Sequence, residues 1–346
     1  MAGVVVTRAC GVALGMALAF ATSSISAAAE QNEQAYFAGK TVRLVVGFGP
    51  GGGYDLYARM LAPYLSKTLN ATVLIENRPG AGGLLALNTM YMSPPDGLTL
   101  MIVNGTGAAF SQLTDQQGAR YDLSKFGYIA TLSAPPSLWT VGPHFQVKTI
   151  AEAIHVGKKW RWAASGPVDS LSDGAAFTCE GFKLDCQVVL GYKGSNDAAL
   201  AVSRGEMDAL YVTDTSANHY VQTNGLIPLA TVGRNRSRFF PDLPTVFEAA
   251  KLNAEQEWLF NFRHVVQSLG RILVAPPGMA ESRLAVLEAA TQRSVQDPNF
   301  LAEGEKRQLY TDYVSAAGTR ENAMNIVTNV TPEQRKLVQD ILARVR

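Results

Sequence analysis

Histidine and cysteine are scarce in this chain: four and three residues among 346. His144, His155, His219 and His264 are scattered, and no two stand three or four positions apart, so a helix-borne metal pair is excluded. Neither sign of charge is in excess, with 30 lysines and arginines against 29 aspartates and glutamates. A balanced chain has no global field with which to recruit polyanions, so nucleic acid is not an expected partner. Nucleophile signatures are also missing, since Ser165 does not sit in G-x-S-x-G and neither later cysteine has a catalytic neighbourhood. Beyond the first 29 residues no apolar run is long enough to span a bilayer.

What is present begins with an export pattern. Arg8 is the only early charge, "GVALGMALAFA" (residues 11–21) is a short apolar run, and Ala27–Ala29 supply an A-x-A site. Residues 1–29 are read as a signal peptide cleaved after Ala29, leaving an exported chain without membrane insertion. Cys10 lies ahead of the apolar run and leaves with it, so Cys179 and Cys186 remain. They are either bridged or two free thiols, and an oxidising compartment favours the bridge.

The rest alternates short apolar runs with helical patterns, the mark of an α/β fold. "TVRLVVGF" (41–48), "TVLIEN" (72–77) and "LTLMIVN" (98–104) read as strands, with helices expected after the glycines and over 84–92. The paired prolines of "TLSAPPSLWTVGP" read as a crossing between lobes. A second series follows, with strands in "WRWAAS", "CQVVLGY", "MDALYVT" and "GLIPLATVG", a helix over 175–182 and another over "NDAALAVSRG". Thr331 is placed to cap a final helix. The expected division is a first lobe of residues 30–133 plus 234–346 and a second lobe of 134–233.

"GFGPGGGYDLYAR" lies between a strand and a helix, at the carboxyl end where open α/β sheets bind ligands. Gly51, Gly52 and Gly53 permit close backbone approach, and the helix start offers free N–H groups to an anion. The G-x-G-x-x-G spacing at Gly47, Gly49 and Gly52 is weak evidence for a dinucleotide, because Pro50 interrupts it. No G-K-[ST] follows, which excludes a P-loop.

Together with "VLIENRPGAGG", "SPPDGLTLMI", "LGYKGSNDAALAVSRGEMDALYVTD" and "FPDLPTVFEA", this loop resembles the receptors of tripartite tricarboxylate transporters, the Bug-type solute-binding proteins. The resemblance implies a two-lobed periplasmic-binding-protein fold (type II-like), each lobe a mostly parallel sheet flanked by helices, closing on a small organic carboxylate. It implies a ligand site of Phe48, Gly49, Gly51, Gly52, Gly53, Tyr54 and Asp55, faced by Asn104, Gly105 and Thr106. Ser165, Gly166, Tyr192, Lys193, Gly194, Thr213 and Asp214 would close from the second lobe. Asp55 and Asp214 would orient N–H groups or waters, or meet a donor on the ligand. Lys193 is the expected fixed positive charge.

No cofactor, metal or catalysis is expected, and a monomer is. The partners would be the membrane subunits of a tripartite transporter, or alternatively a sensor kinase reading the bound form. An exported enzyme on a similar fold is the third reading.

Two departures from the resemblance stand out. "SGPVDSLSDG" places Pro167 and Asp169 in the second-lobe loop, against a fully anionic ligand. The family's aromatic strand corresponds either to Trp258–Phe262 or to Phe262, Arg263 and His264. Arg263 is expected on the surface rather than at the ligand. Tyr54 is a candidate aromatic wall, and Tyr57 is expected in the core.

Overall fold

The computed structural model describes residues 33–167 and 169–344, for Arg344 the backbone only. The proposed signal peptide lies outside the described residues. Two sheets organise the chain. Strand β1 (Thr41–Val46) leads through helix α1 (Gly53–Leu69) to β2 (Thr72–Asn77), then α2 (Leu84–Tyr91), β3 (Thr99–Asn104), α3 (Gly105–Leu113) and β4 (Gly127–Ser133). The chain then crosses on Ala134-Pro135-Pro136 to β5 (Ser137–Val141), α4 (Ile150–Ile154), β6 (Trp160–Ala163) and α5 (Ser170–Gly181). It continues through β7 (Cys186–Val189), α6 (Ser195–Ser203), β8 (Ala209–Thr213), α7 (Asp214–Asn224) and β9 (Ile227–Thr231). The return passes α8 (Val246–Ala249) and α9 (Ala254–Gln267) to β10 (Arg271–Ala275). The chain ends in α10 (Glu281–Val295), α11 (Pro298–Lys306), β11 (Val314–Ser315), α12 (Ala316–Thr328) and α13 (Pro332–Arg344).

The first sheet runs β11-β4-β10-β3-β1-β2 and the second β7-β6-β8-β5-β9. Both are mixed rather than mostly parallel. The βαβ units make the parallel pairs β1–β2, β1–β3, β6–β7 and β6–β8. β10 returns antiparallel between β3 and β4, while β5 runs antiparallel between β8 and β9. The prolines at 135 and 136 fall between two strands that are buried along their whole length, β4 and β5.

Apolar cores cover both faces of the first sheet. One includes Tyr57, Leu61 and Leu65 of α1 with Leu287 and Ala290 of α10; the other includes Leu87, Phe110, Ile326 and Leu342. The second lobe is built on Trp139, Trp160 and Trp162, whose rings meet Trp139 at 5.3 and 5.4 Å. Helix α5 serves two cores: Ala175 and Cys179 face the tryptophans, while Ala176 and Phe177 enter the first lobe's core. Phe177 meets Phe110 at 5.1 Å, so the lobes share an apolar contact behind the cleft. Cys179 and Cys186 are bridged, tying α5 to β7.

Candidate functional site

The strand ends decide where the cleft lies. β1, β3, β6 and β8 all finish toward it, and loops and helix starts follow each. β10 runs the other way, so its first residue, Arg271, sits opposite Asn104 at the end of β3 and Ser133 at the end of β4. The cavity between the lobes encloses about 660 Å³, open mouth included.

Three helix starts lining this cavity lack side-chain caps: α1 behind Gly52, α6 behind Gly194 and α7 behind Thr213. Uncapped N–H groups and the positive end of the helix dipole suit an anion. Arg271 adds a full charge. It is 3% exposed, donates from Nη1 to Ser133 Oγ at 3.0 Å, and has no protein partner for Nε. Among the described residues no carboxylate pairs with it. A buried cation left in this state is costly, and an anionic ligand would relieve it.

Tyr54 packs against Arg271, whose guanidinium lies 5.1 Å from the ring centre, and stacks on Phe48 at 4.8 Å. Burial pushes its hydroxyl pKa up, with Arg271 opposing, so Tyr54 remains a neutral donor. Tyr57 sits deeper, where its hydroxyl donates to Leu132 O at 2.8 Å.

Asp169 also lines the cavity. It caps α5 by accepting from Leu171 N, and its other oxygen accepts from Ser165 N and Ser165 Oγ, both at 2.7 Å. Burial pushes its pKa up to about 6 in spite of those donors. Arg263 also lines the cavity but is not free. It is 1% exposed and bonds Asp173 at 2.7 Å, with Nη1 donating to Gln267 Oε1. Burial works against its charge, and Asp173 outweighs that and holds the guanidinium protonated. This corrects the expected surface position of Arg263. The aromatic-strand alternatives are corrected too, because Trp258, Phe262, Arg263 and His264 all lie on helix α9, and the strand is Arg271–Ala275.

Among the residues expected from sequence, Phe48, Gly52, Gly53, Tyr54, Thr106 and Thr213 line the cavity. The others sit around it. Asp55 accepts from Gly51 N at 2.9 Å and pairs with Arg59; burial opposes its charge, yet these bonds hold its pKa below the usual carboxylate value. Asn104 caps α3 through Gly107 N and accepts from Ser170 Oγ of the second lobe at 2.8 Å. Gly105 packs under Leu269 and donates to Gly270 O. Asp214 turns to Ser237 and Tyr310, whose hydroxyls donate to it at 2.8 and 2.7 Å.

Gly49, Gly166, Lys193 and Gly194 lie where the lobes meet. Gly49 N donates to Lys193 O at 2.8 Å, and the Lys193 side chain is exposed rather than in the cavity. A Cβ on Gly166 would stand 2.2 Å from both Ala81 C and Gly82 N. The Lys193 and Gly166 contacts describe closed lobes. Tyr192 is half-buried against the second-lobe core. Sequence reasoning missed Arg271, Ser133 and Gln267, and treated Asp169 as a departure rather than a wall. The available signal for Arg271 was a charge at the head of the apolar run "RILVA".

Two α/β lobes thus meet over a cleft that holds a buried cation with no carboxylate partner among the described residues. The profile of the tripartite tricarboxylate transporter family receptors matches residues 57–341, and the chain belongs to that family. A UPF0065 protein from the gbd 5′ region of Cupriavidus necator is 30% identical over 295 residues, covering 83% of this chain and 84% of the relative. Protein BugT of Bordetella pertussis is 25% identical over 213 residues, 60% of this chain and 65% of BugT. Among solved structures, the periplasmic binding protein BugD aligns with TM-score 0.74 at 20% identity, over 87% of this chain and 97% of BugD. MatC from Rhodopseudomonas palustris, solved with bound malate, aligns with TM-score 0.69 at 23% identity, over 88% and 99% of the two chains.

Proposed function

We propose that this protein is a periplasmic receptor that closes its lobes on a small organic carboxylate and delivers it to the membrane subunits of a tripartite transporter. The observation that carries the reading is Arg271, a buried cation without a carboxylate partner among the described residues, facing a cleft ringed by uncapped helix starts. The malate bound to MatC, and the adipate bound to a second R. palustris protein of like fold (TM-score 0.74, 18% identity, over 88% and 97% of the two chains), agree with this chemistry.

The glycines at the lobe contact have a role in this reading. They let backbone meet backbone when the lobes close, so ligand binding and closure are one event. The hinge is assigned to the crossings near Ala134–Ser137 and Gly233–Asn235, and the closed surface is what the membrane subunits recognise. Ligand exchange without turnover is the expectation of this reading, and recovery of the bound molecule unchanged tests it.

The test is a thermal-shift screen on protein unfolded and refolded to strip carried ligand, against carboxylates, neutral sugars and amines. A ligand at 100 times its Kd adds about 2.7 kcal/mol. Shifts confined to carboxylates, and lost in Arg271→Gln, support the reading. A shift with sugars or amines alone overturns it. Uptake in cells lacking the receptor separates delivery from sensing: lost uptake supports transport, and normal uptake with lost induction points to a sensor kinase.

A further inference from the structure

The contact between helix α7 and the first lobe extends beyond the cleft. Gly53 and Ser216, one from each lobe, line the cavity, and a Cβ on Gly53 would stand 2.8 Å from Ser216 Oγ. Away from the cavity, Asn218 Nδ2 donates to Gln308 Oε1, and the Tyr310 hydroxyl donates to Asp214 Oδ2 at 2.7 Å. Neither Asp214 nor Tyr310 lines the cavity. Tyr310 follows Leu309, which is buried in the first lobe's core, so its bond to Asp214 joins the two lobes. The Tyr310 ring is held in place. The Arg238 guanidinium lies 4.1 Å from the ring centre and donates from Nη2 to Leu309 O at 2.9 Å, while Phe239 meets the ring edge-on with centres 5.8 Å apart. Asp214 is fully buried; its N–H donates to Pro136 O in the first crossing, and Oδ2 also accepts from Ser237 Oγ. Burial and the neighbouring Asp214 push the Tyr310 hydroxyl pKa up, so it stays protonated as the donor.

We propose that Tyr310 is a positioning residue for lobe closure: its hydroxyl engages Asp214 when the lobes are shut and adds to ligand affinity without touching the ligand. This deepens the receptor reading and rests on it. Opening the cleft parts Ser216 from Gly53, and the same helical turn carries Asp214 and Asn218 away from Tyr310 and Gln308. Water then reaches the Asp214 carboxylate. In the closed form Tyr310 and Ser237 stand in for that water. A closed form deprived of the Tyr310 donor holds a buried acceptor short of a partner, and the open form loses nothing comparable. Every ligand's affinity contains the closure equilibrium as a common factor, so a shift in that equilibrium changes all affinities in one ratio. Ser170, whose bond to Asn104 also joins the lobes, lines the cavity and lacks this separation from the ligand.

Tyr310→Phe tests this, since it keeps the ring under Arg238 and against Phe239 and removes only the hydroxyl. Isothermal titration of refolded protein with malate and adipate, or with whichever carboxylates raise the melting temperature of wild type, should show every Kd raised about tenfold and in the same ratio. In an Asp214→Ala background the same substitution should change Kd by less than about twofold, because its acceptor is gone. Arg238→Gln, which loosens the grip on the ring, is the second variant and should weaken the same ligands in a common ratio. Ligand-free melting of each variant confirms the fold, and if Tyr310→Phe does not refold, Arg238→Gln decides. Unchanged affinity would mean that the bond persists in the open lobes, unequal ratios among ligands would place Tyr310 at the cleft, and an undiminished loss in the Asp214→Ala background would sever Tyr310 from Asp214. Each of these overturns the inference and leaves the receptor reading standing. If no carboxylate binds wild type, both fall together.

Discussion

Arg263 and Asp173 form an ion pair at 2.7 Å with each side chain 1% exposed, joining α9 to α5 at the wall of the cleft. The guanidinium also lies 5.0 Å from the Tyr211 ring centre. Removing one partner leaves the other charged and buried, so Arg263→Met should cost about 3–5 kcal/mol. Replacing both, as Arg263→Met with Asp173→Leu, should recover most of that loss. Urea unfolding of the two single variants and the double variant checks it; a single variant within about 1 kcal/mol of wild type would mean that the pair is solvated.

Gly166 makes the second prediction. Its backbone angle is not in the left-handed region, so alanine is locally permitted there. The added Cβ would nevertheless stand 2.2 Å from Ala81 C and Gly82 N across the lobe contact. Gly166→Ala should therefore hold the lobes apart without unfolding either one. Small-angle scattering with saturating ligand should show a larger radius of gyration than wild type, and affinity should fall at least about tenfold, roughly 1.4 kcal/mol. An unchanged radius and affinity would mean that this contact yields without cost.

These cases show how far the sequence could be read. The β-α-β order, the glycine loops and the family were legible because they are written in contiguous residues. "SGPVDSLSDG" was legible as unusual, but that Asp169 caps α5 depends on a helix beginning at Ser170 rather than at Ala175. Arg263 was recoverable in principle: Leu259, Phe260, Arg263, Val266 and Gln267 repeat at helical spacing and share the buried face of α9. Arg271 was harder. A charge at the start of an apolar strand is ordinarily solvated, and only the antiparallel insertion of β10 between β3 and β4 carries it into the cleft. Such a crossing joins segments far apart in the chain, and local periodicity does not contain it.

Arg271→Gln separates binding from folding. With no ligand, wild type carries a buried cation whose only side-chain hydrogen bond among the described residues is to Ser133. Losing that bond costs about 1 kcal/mol, while losing the desolvated charge returns a comparable or larger amount. The ligand-free variant should therefore melt at the same temperature as wild type or higher. Its carboxylate affinity should fall about 100-fold, in line with removal of one partner of a buried charge pair. Calorimetry with and without ligand reads both, and a variant that melts lower and binds normally would assign Arg271 to the scaffold.

Asp169 gives the stability of the protein a pH dependence of defined sign. Its pKa is about 6 in the folded chain against 3.8 for the ordinary carboxyl, because burial disfavours the ionised form. Between those values the folded state holds more protons than the unfolded chain, so the contribution of Asp169 to stability falls as pH rises through that window. About two pKa units correspond to about 3 kcal/mol. Asn at this position can still cap α5 but does not titrate. The stability of wild type relative to Asp169→Asn should therefore be highest below about pH 4, decline to about pH 6, and stay level above it. Denaturant midpoints for both proteins from pH 3.5 to 8 test this, and parallel curves would mean that Asp169 keeps its ordinary pKa.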